Sequence, residues 1–412
     1  MSARDTPESG TLPGRHGYVV ESEPMAVPTD PDWQRPSDVM REFTASGGAT
    51  VERQDAISTP DPVDHNRGTE EPEATVAYDM QQFPVDGDGN PNSLDAYGLL
   101  RDEYNALEGT ILYQERTRIP GGNDDAGIRL YTVVRGAAVE SVEATLDPSE
   151  AQPILLECGL MPRKVRSYAI HQPSASTTLE ITSTDDADTM DVTIENEGAG
   201  TTETISLTGT TSVTTTESFG DIDSVWLSEQ PTGDITITDG SGTTFVELQG
   251  GLTYSDDDQP VDGDRGIPSL GAGSHGSEIG TTFEHFVGDR VERPAGSPLR
   301  PRLNSASWSV ENDISTDSLH DTRAPSVDTS DRTVTVDADV GGPKVSHDSM
   351  MEALTKTKND IEHELSGGEF VFPNSTLTDG GERQREASGQ AVASISETFE
   401  ASGDPAIIIS AN

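Results

Sequence analysis

Two segments near the C-terminal end alternate so strictly between apolar and polar residues that each is expected to fold as a strand with one dry face and one wet face. In residues 301–311, Ala306, Trp308 and Val310 fall on one side, and Ser305, Ser307, Ser309 and Glu311 on the other. In residues 332–340, Val334, Val336, Ala338 and Val340 alternate with Thr333, Thr335, Asp337 and Asp339. Successive strand side chains point to opposite faces. A slip of one residue would bury the acids and expose Trp308, so the register of both strands is strongly fixed.

The segments around this pair extend the pattern. Met350, Met351, Leu354, Lys358, Ile361 and Leu365 recur at three- and four-residue steps. That spacing predicts an amphipathic helix over 349–365, capped by Ser346, Asp348 or Ser349 and ended by Gly367 and Gly368. It would cover Ala306, Trp308, Val310, Val334, Val336 and Val340. Beyond it come a short strand at 369–372, a turn at Pro373 and Asn374, a strand around 391–399, and an apolar end at 406–409. Earlier in the chain, Val76, Tyr78 and Met80 alternate with Ala77, Asp79 and Gln81. Ser93 precedes a second helical stripe through Leu94, Tyr97, Leu100 or Arg101, Tyr104 and Leu107. Residues 110–116 and 128–134 read as a strand pair, and 139–147 as a further strand with Val142, Ala144 and Leu146 opposite Ser141, Glu143, Thr145 and Asp147. This last segment echoes 303–311, which suggests a duplicated half-domain. Near the start, Ser37 is placed to cap a short helix containing Val39, Met40 and Phe43, with Gly47 and Gly48 as its stop.

The middle of the chain has another composition. From Ser167 to Asp264 there is no Lys or Arg, while Thr, Ser, Asp and Gly dominate. Short apolar-alternating runs recur at 179–181, 190–194, 205–207, 212–214, 222–227, 235–237 and 245–248. Many short strands punctuated by turn residues predict an immunoglobulin-like sandwich inserted into the first domain. The expected organisation is an extended N-terminal arm with its short helix over 1–50, a first half-domain over 51–166, the insertion over 167–264, and a second half-domain over 265–412.

The charge balance narrows the setting. The chain has 412 residues, with 74 Asp plus Glu against 26 Lys plus Arg, a formal net charge of −48. The acid is spread along the whole length and coexists with clear strand periodicity, which an acidic disordered chain would lack. A folded protein for very high salt is expected, where screening over a few ångströms relieves self-repulsion. Such a surface disfavours tight nucleic-acid binding. No apolar run approaches membrane-spanning length and the first residues carry no apolar signal core, so neither membrane insertion nor general secretion is expected.

Residues 303–315, 332–336, 369–375 and 394–401, preceded by 280–291, resemble in strand type and spacing the C-terminal half of tail tube proteins of tailed viruses. The resemblance implies a mainly β fold: a tail-tube-type sandwich or barrel with a flanking helix, here carrying the inserted sandwich and the arm. It also implies stacked homohexameric rings, with each subunit lending strands to an inner barrel through which viral DNA passes without specific binding. Partners would be other copies of the chain and other tail proteins such as a terminator or baseplate, and the location would be the virion tail of a haloarchaeal virus. A related tail component and a haloarchaeal surface adhesin with immunoglobulin-like modules are the alternatives. On the tube reading, Ser305, Ser307, Ser309, Glu311, Thr333, Thr335, Asp337 and Asp339 face the lumen, and Ser141, Glu143, Thr145 and Asp147 add to them.

No catalytic constellation is visible, and no cofactor is expected. There is no nucleophile elbow, phosphate loop or dinucleotide fingerprint, and His363-Glu364 lacks the second histidine of a zinc helix. Residues 86–90 begin like a calcium loop, but Pro91 stands where glycine is needed and Tyr97 where glutamate is needed. Asp185, Asp186, Asp188 and Asp191, and the acids at 256–258, 262 and 264, read as solvated turns rather than metal sites. Cys158 is the only cysteine, so no intrachain disulfide forms, and burial is its expected place. Asn374, Ser375 and Thr376 form a glycosylation-type triplet, a pattern too short to carry a reading. Arg163, Lys164 and Arg166 make the tightest basic cluster; it either meets an acidic neighbouring subunit or neutralises local acid.

Overall fold

The computed structural model describes residues 15–21, 40–47, 49–55, 62–70, 72–79, 81–82, 111–119, 127–146, 154–196, 198–251, 265–267, 281–282, 290–292, 303–317, 326–341, 358–365, 368–379, 394–402 and 407–411. Every regular element among them is a strand. The largest unit is a 14-stranded antiparallel sheet. Its main path runs Met40–Ser46, Glu73–Asp79, Leu155–Met161, Ile128–Leu146, Leu303–Asp317, Ser326–Gly341, Ser394–Ala401, Gly368–Asp379, Lys358–Leu365, Arg290–Glu292.

The two alternating strands pair with each other, Trp308 opposite Val336 and Val310 opposite Val334. Their apolar sides are buried with Val142, Ala144, Leu156, Cys158, Val76, Tyr78 and Phe399 in one core. Trp308 is 2% exposed. Its ring lies 5.1 Å from that of Phe370 and 6.1 Å from that of Phe372. Phe370 and Phe372 belong to Gly368–Asp379, three strands away along the sheet. Neighbouring strands are about 4.8 Å apart, so these strands would lie roughly 14 Å apart in a flat sheet. Ring contact therefore requires the sheet to roll around its own apolar face.

Three expectations are corrected here. The residues expected at the end of a helix over 349–365 form the strand Lys358–Leu365, with Ile361 opposite Phe372 and buried at 0% exposure. Ile361 and Leu365 are four apart, a spacing that suits one face of a helix and one face of a strand equally. The cover on Trp308 is thus a strand pair of the same sheet; Met350, Met351 and Leu354 lie outside the described residues. The short helix near Met40 is also a strand, Met40–Ser46, paired with Glu73–Asp79. A register shift between Met40 and Glu42 inserts one residue, which brings Met40 and Phe43 to the same side despite their odd spacing. The turn expected at Pro373 and Asn374 is a kink inside Gly368–Asp379. Asn374 takes φ 51°, and the Ser375 hydroxyl donates to the Phe372 carbonyl at 2.8 Å. The helical stripe from Leu94 to Leu107 lies outside the described residues.

The strands expected at 128–134 and 139–147 are one continuous strand, Ile128–Leu146. Its first half pairs with Ile111–Ile119 and Lys164–His171, its second with Leu155–Met161 and Leu303–Asp317. Gly136, at φ 59°, marks the change of partners in a conformation that a side chain would strain.

Residues 179–267 carry two further four-stranded antiparallel sheets. One holds Leu179–Ser183, Val213–Thr214, Ile235–Asp239 and Thr244–Leu248; the other holds Asp191–Asn196, Thr201–Ser206, Ser224–Leu227 and Gly266–Ile267. Both contribute to a core that includes Ile181, Val192, Phe219, Val225 and Ile237. Val19, Tyr131, Val133, Tyr168 and Ile170, on strands outside these two sheets, join that core. Polar contacts fasten the junction. Arg129 donates to the Ile222 carbonyl at 2.9 Å and pairs with Asp223, and the Tyr131 hydroxyl donates to the Asp223 carbonyl. Gln172 exchanges two hydrogen bonds with the Ile222 backbone, at 2.8 and 2.9 Å.

Candidate functional site

The expected wet faces come together as one surface. Ser307 lies opposite Asp337, Ser309 opposite Thr335, and Glu311 opposite Thr333. On the other edge of Leu303–Asp317, Ser307 meets Thr145, Ser309 meets Glu143, and Glu311 meets Ser141. Ser305 stands opposite Asp339 in register; nothing is described of their side chains, and Asp147 lies outside the described residues. The echo between 139–147 and 303–311 thus becomes direct antiparallel adjacency in one sheet.

The surface is wider than sequence reasoning allowed. Thr335 faces Glu400, Asp337 faces Thr398, and Glu143 faces Glu157 across their ladders. Thr398, Glu400 and Glu157 were missed, although Ser396, Thr398 and Glu400 alternate with Ile395, Phe399 and Ala401 in plain view. One cross-strand row reads Glu157, Glu143, Ser309, Thr335, Glu400, Thr376. The ladder continues from Thr376 to Lys358, so the row spans seven strands and contains three acids and one base, the exposed Lys358 at its far end. Hydroxyls knit its middle: Ser309 Oγ and Thr335 Oγ1 are 2.6 Å apart, and the Thr398 hydroxyl donates to Asp337. Glu143, Glu311, Thr333 and Glu400 are exposed, while Ser307, Ser309, Thr335 and Asp337 are half-buried. Glu143 and Glu157 stand directly opposite each other, an arrangement that repels in dilute salt.

Ala306, Trp308, Val310, Val334, Val336 and Ala338 form the reverse of this surface and are all buried. Parity therefore fixes which side is wet, and the roll of the sheet puts the wet side on the outside of the subunit's own core.

The cation candidates do not converge: Asp185 and Asp186 lie in a turn as expected, whereas Asp188 is buried and Asp191 opens the strand Asp191–Asn196. Asp188 is 1% exposed, and its carboxylate accepts from the Ser183 hydroxyl and from the Thr232 and Gly233 N–H groups at 2.8 and 3.0 Å. Asp185 accepts from the Ala187 N–H at 2.8 Å, Asp186 from the Thr210 hydroxyl at 2.6 Å, and Asp191 from the Ser206 hydroxyl. Among the described residues no group of three or more His, Cys, Asp or Glu side chains could hold a metal ion. Residues 86–90 and 256–264 lie outside the described residues.

Cys158 is buried, with its sulfur 3.5 Å from the Tyr78 hydroxyl. Burial pushes its thiol up to about 12 from an ordinary value of 9.0. The expected result is that iodoacetamide at mildly alkaline pH leaves the native protein unmodified and labels the unfolded chain. Rapid native labelling would contradict the buried register of Leu155–Met161. The raised value also means that this group favours the fold most below pH 9 and loses that contribution as pH climbs toward 12.

No family model and no curated protein matches the chain. Among the described residues no helix is long and apolar enough to cross a membrane.

Proposed function

We propose that this chain is the major tail tube protein of a tailed virus of a halophilic archaeon, forming stacked six-fold rings whose bore passes the genome. The observation that carries the reading is the continuous hydroxyl- and acid-bearing face on the outside of the rolled sheet. A strand face of Ser, Thr, Asp and Glu needs water, and the lumen of a closed ring supplies it. Closure between subunits would also remove exposed sheet edges. A lumen in which acids outnumber bases, three to one along the row that ends at Lys358, would repel phosphate, so DNA would slide without sticking. The sandwich over 179–267 is read as an immunoglobulin-like addition to the ring's exterior; the arm expected over 1–50 is not proposed for Arg15–Val20 and Met40–Ser46, which pair within the subunit's own sheet.

Charge reversal tests the direction of this face. Glu311→Lys combined with Asp337→Lys is expected to leave tubes assembled at molar salt but to slow or block DNA ejection, because lysines in the bore would grip phosphate. Ejection at the parental rate from particles carrying both substitutions would place the face elsewhere.

A further inference from the structure

The edge of a sheet presents a row of unpaired backbone N–H and C=O groups, which a folded chain covers or blunts. The sandwich covers one such edge at Thr201–Ser206, where the Glu203 carboxylate accepts from the Thr216 and Glu217 N–H groups at 2.8 Å each. Lys164–His171 is left open. Among the described residues its one strand partner is Ile128–Leu146. The Gln172 N–H donates to the Gly127 carbonyl at 3.0 Å. Bonded and non-bonded pairs alternate along an antiparallel ladder, so Ile170, Tyr168 and Arg166 also bond toward that partner. Ser167, Ala169 and His171 therefore turn their N–H and C=O groups to the other side, and all three residues are exposed. A side chain at Gly47 would come within 3.1 Å of the Val165 carbonyl, so the edge is covered at that end and open from Ser167 to His171.

The open side borders a cleft of about 530 Å³ whose opposite wall is another edge, Thr244–Leu248. That strand pairs with Ile235–Asp239 alone. The Thr184 N–H donates to the Asp234 carbonyl at 3.1 Å; by the same alternation Ile235 and Ile237 bond to Leu248 and Val246, and Glu247 faces outward. Two edges from different sheets thus flank one space, and among the described residues no backbone hydrogen bond joins them. Tyr168 and Phe245 on its walls are 6% and 4% exposed, so they offer no side-chain pocket. Ser167 and Ala169 are small, where edge strands often carry a guard charge. From Cys158 to Leu179 there is not one Asp or Glu, the longest acid-free stretch of the chain.

We propose that this cleft takes an extended segment of a second copy of this chain, which adds as a strand to the open edge of Lys164–His171. The inference rests on the oligomeric reading above and names one of its contacts. Outward groups at Ser167, Ala169 and His171 suit an added strand of about five residues, because alternate residues bond. The wall at Thr244–Leu248 leaves room for a single extended chain, not for the edge of another sheet. Recognition by main-chain groups without side-chain pockets gives little selection by sequence, which fits a partner always present beside the subunit. In a chain with 74 acids, an edge free of them is also where a segment of like composition meets the least repulsion. Main-chain bonds of this kind do not depend on charges that molar salt screens.

The test uses the full chain at molar salt. Hydrogen exchange at single residues is compared between assembled protein and protein diluted until it dissociates. Assembly is expected to slow the amides of Ser167, Ala169 and His171 roughly a hundredfold, while Tyr168 and Ile170 stay slow in both states. Ala169→Pro removes the middle outward donor and no bond to Ile128–Leu146, and is expected to lower the assembled fraction roughly tenfold. Ala169→Cys carrying a maleimide-linked benzophenone, mixed as isotopically light and heavy copies, keeps the test independent of how the proline is tolerated; Cys158 is buried and does not compete. Illumination is expected to link position 169 to the oppositely labelled copy. Links confined to single copies, or outward amides that exchange equally fast in both states, would overturn the strand addition, even if the cleft then binds a foreign peptide. Intact six-fold rings with those amides unprotected defeat it and leave the tube standing. Protected amides and a cross-copy link in particles of another symmetry do the reverse.

Discussion

Trp308→Ala is expected to destabilise the protein by about 3–5 kcal/mol, the largest loss from any single truncation in the main sheet. The indole is buried at 2% exposure and meets Phe370 and Phe372, which arrive from three strands away. It therefore fastens the roll of the sheet as well as filling volume. Aromatic contact of this kind adds about 0.5–1.5 kcal/mol beyond burial. Trp226→Ala supplies the comparison. That ring is half-buried at the sandwich junction beneath Arg265, and its loss is expected to cost less. Urea unfolding at fixed molar salt, followed by circular dichroism, measures both. A loss at Trp308 below about 1 kcal/mol would show that the sheet does not close over this residue.

Lowering the salt is expected to dissociate assemblies and then unfold the subunit. At a formal net charge of −48, repulsion is tolerable only while screening is short-ranged. The Debye length stretches from about 3 Å at 1 M to about 10 Å at 0.1 M. Directly opposed carboxylates such as Glu143 and Glu157 feel this change within a subunit, and in the ring proposed above the acid rows of adjoining subunits would feel it between them. Light scattering and circular dichroism across a salt series should show loss of large particles before loss of strand signal. Particles unchanged at about 0.1 M salt would contradict the halophilic reading.

The sequence disclosed strand parity better than strand extent. Strict period-two alternation around Trp308 and Val336 admits one folding, and the structure has it. The short runs at 179–181, 235–237 and 245–248 were readable for the same reason, each ending in strands that bury Ile181, Ile237 and Leu248. Errors arose where spacing was ambiguous. Met40 and Phe43 are three apart and share a side only because of a bulge, which no local pattern announces. Ile361 and Leu365 suit either period, and the partner strand bearing Phe370 and Phe372 decides between them. The continuity of Ile128–Leu146 depends on partners that change along its length. The basic cluster at Arg163 was visible as composition, whereas the hydrogen bond from the Arg163 N–H to the Arg135 carbonyl is a product of tertiary contact.

The orientation of the polar face is most directly tested by cryo-electron microscopy of the full chain assembled at molar salt. The expected map shows stacked six-fold rings with Ser307, Ser309, Glu311, Thr335 and Asp337 lining the bore and Trp308 turned away into the subunit core. The same side chains on the outer wall, or a monodisperse monomer at molar salt, would contradict the assignment of this face to a tube lumen.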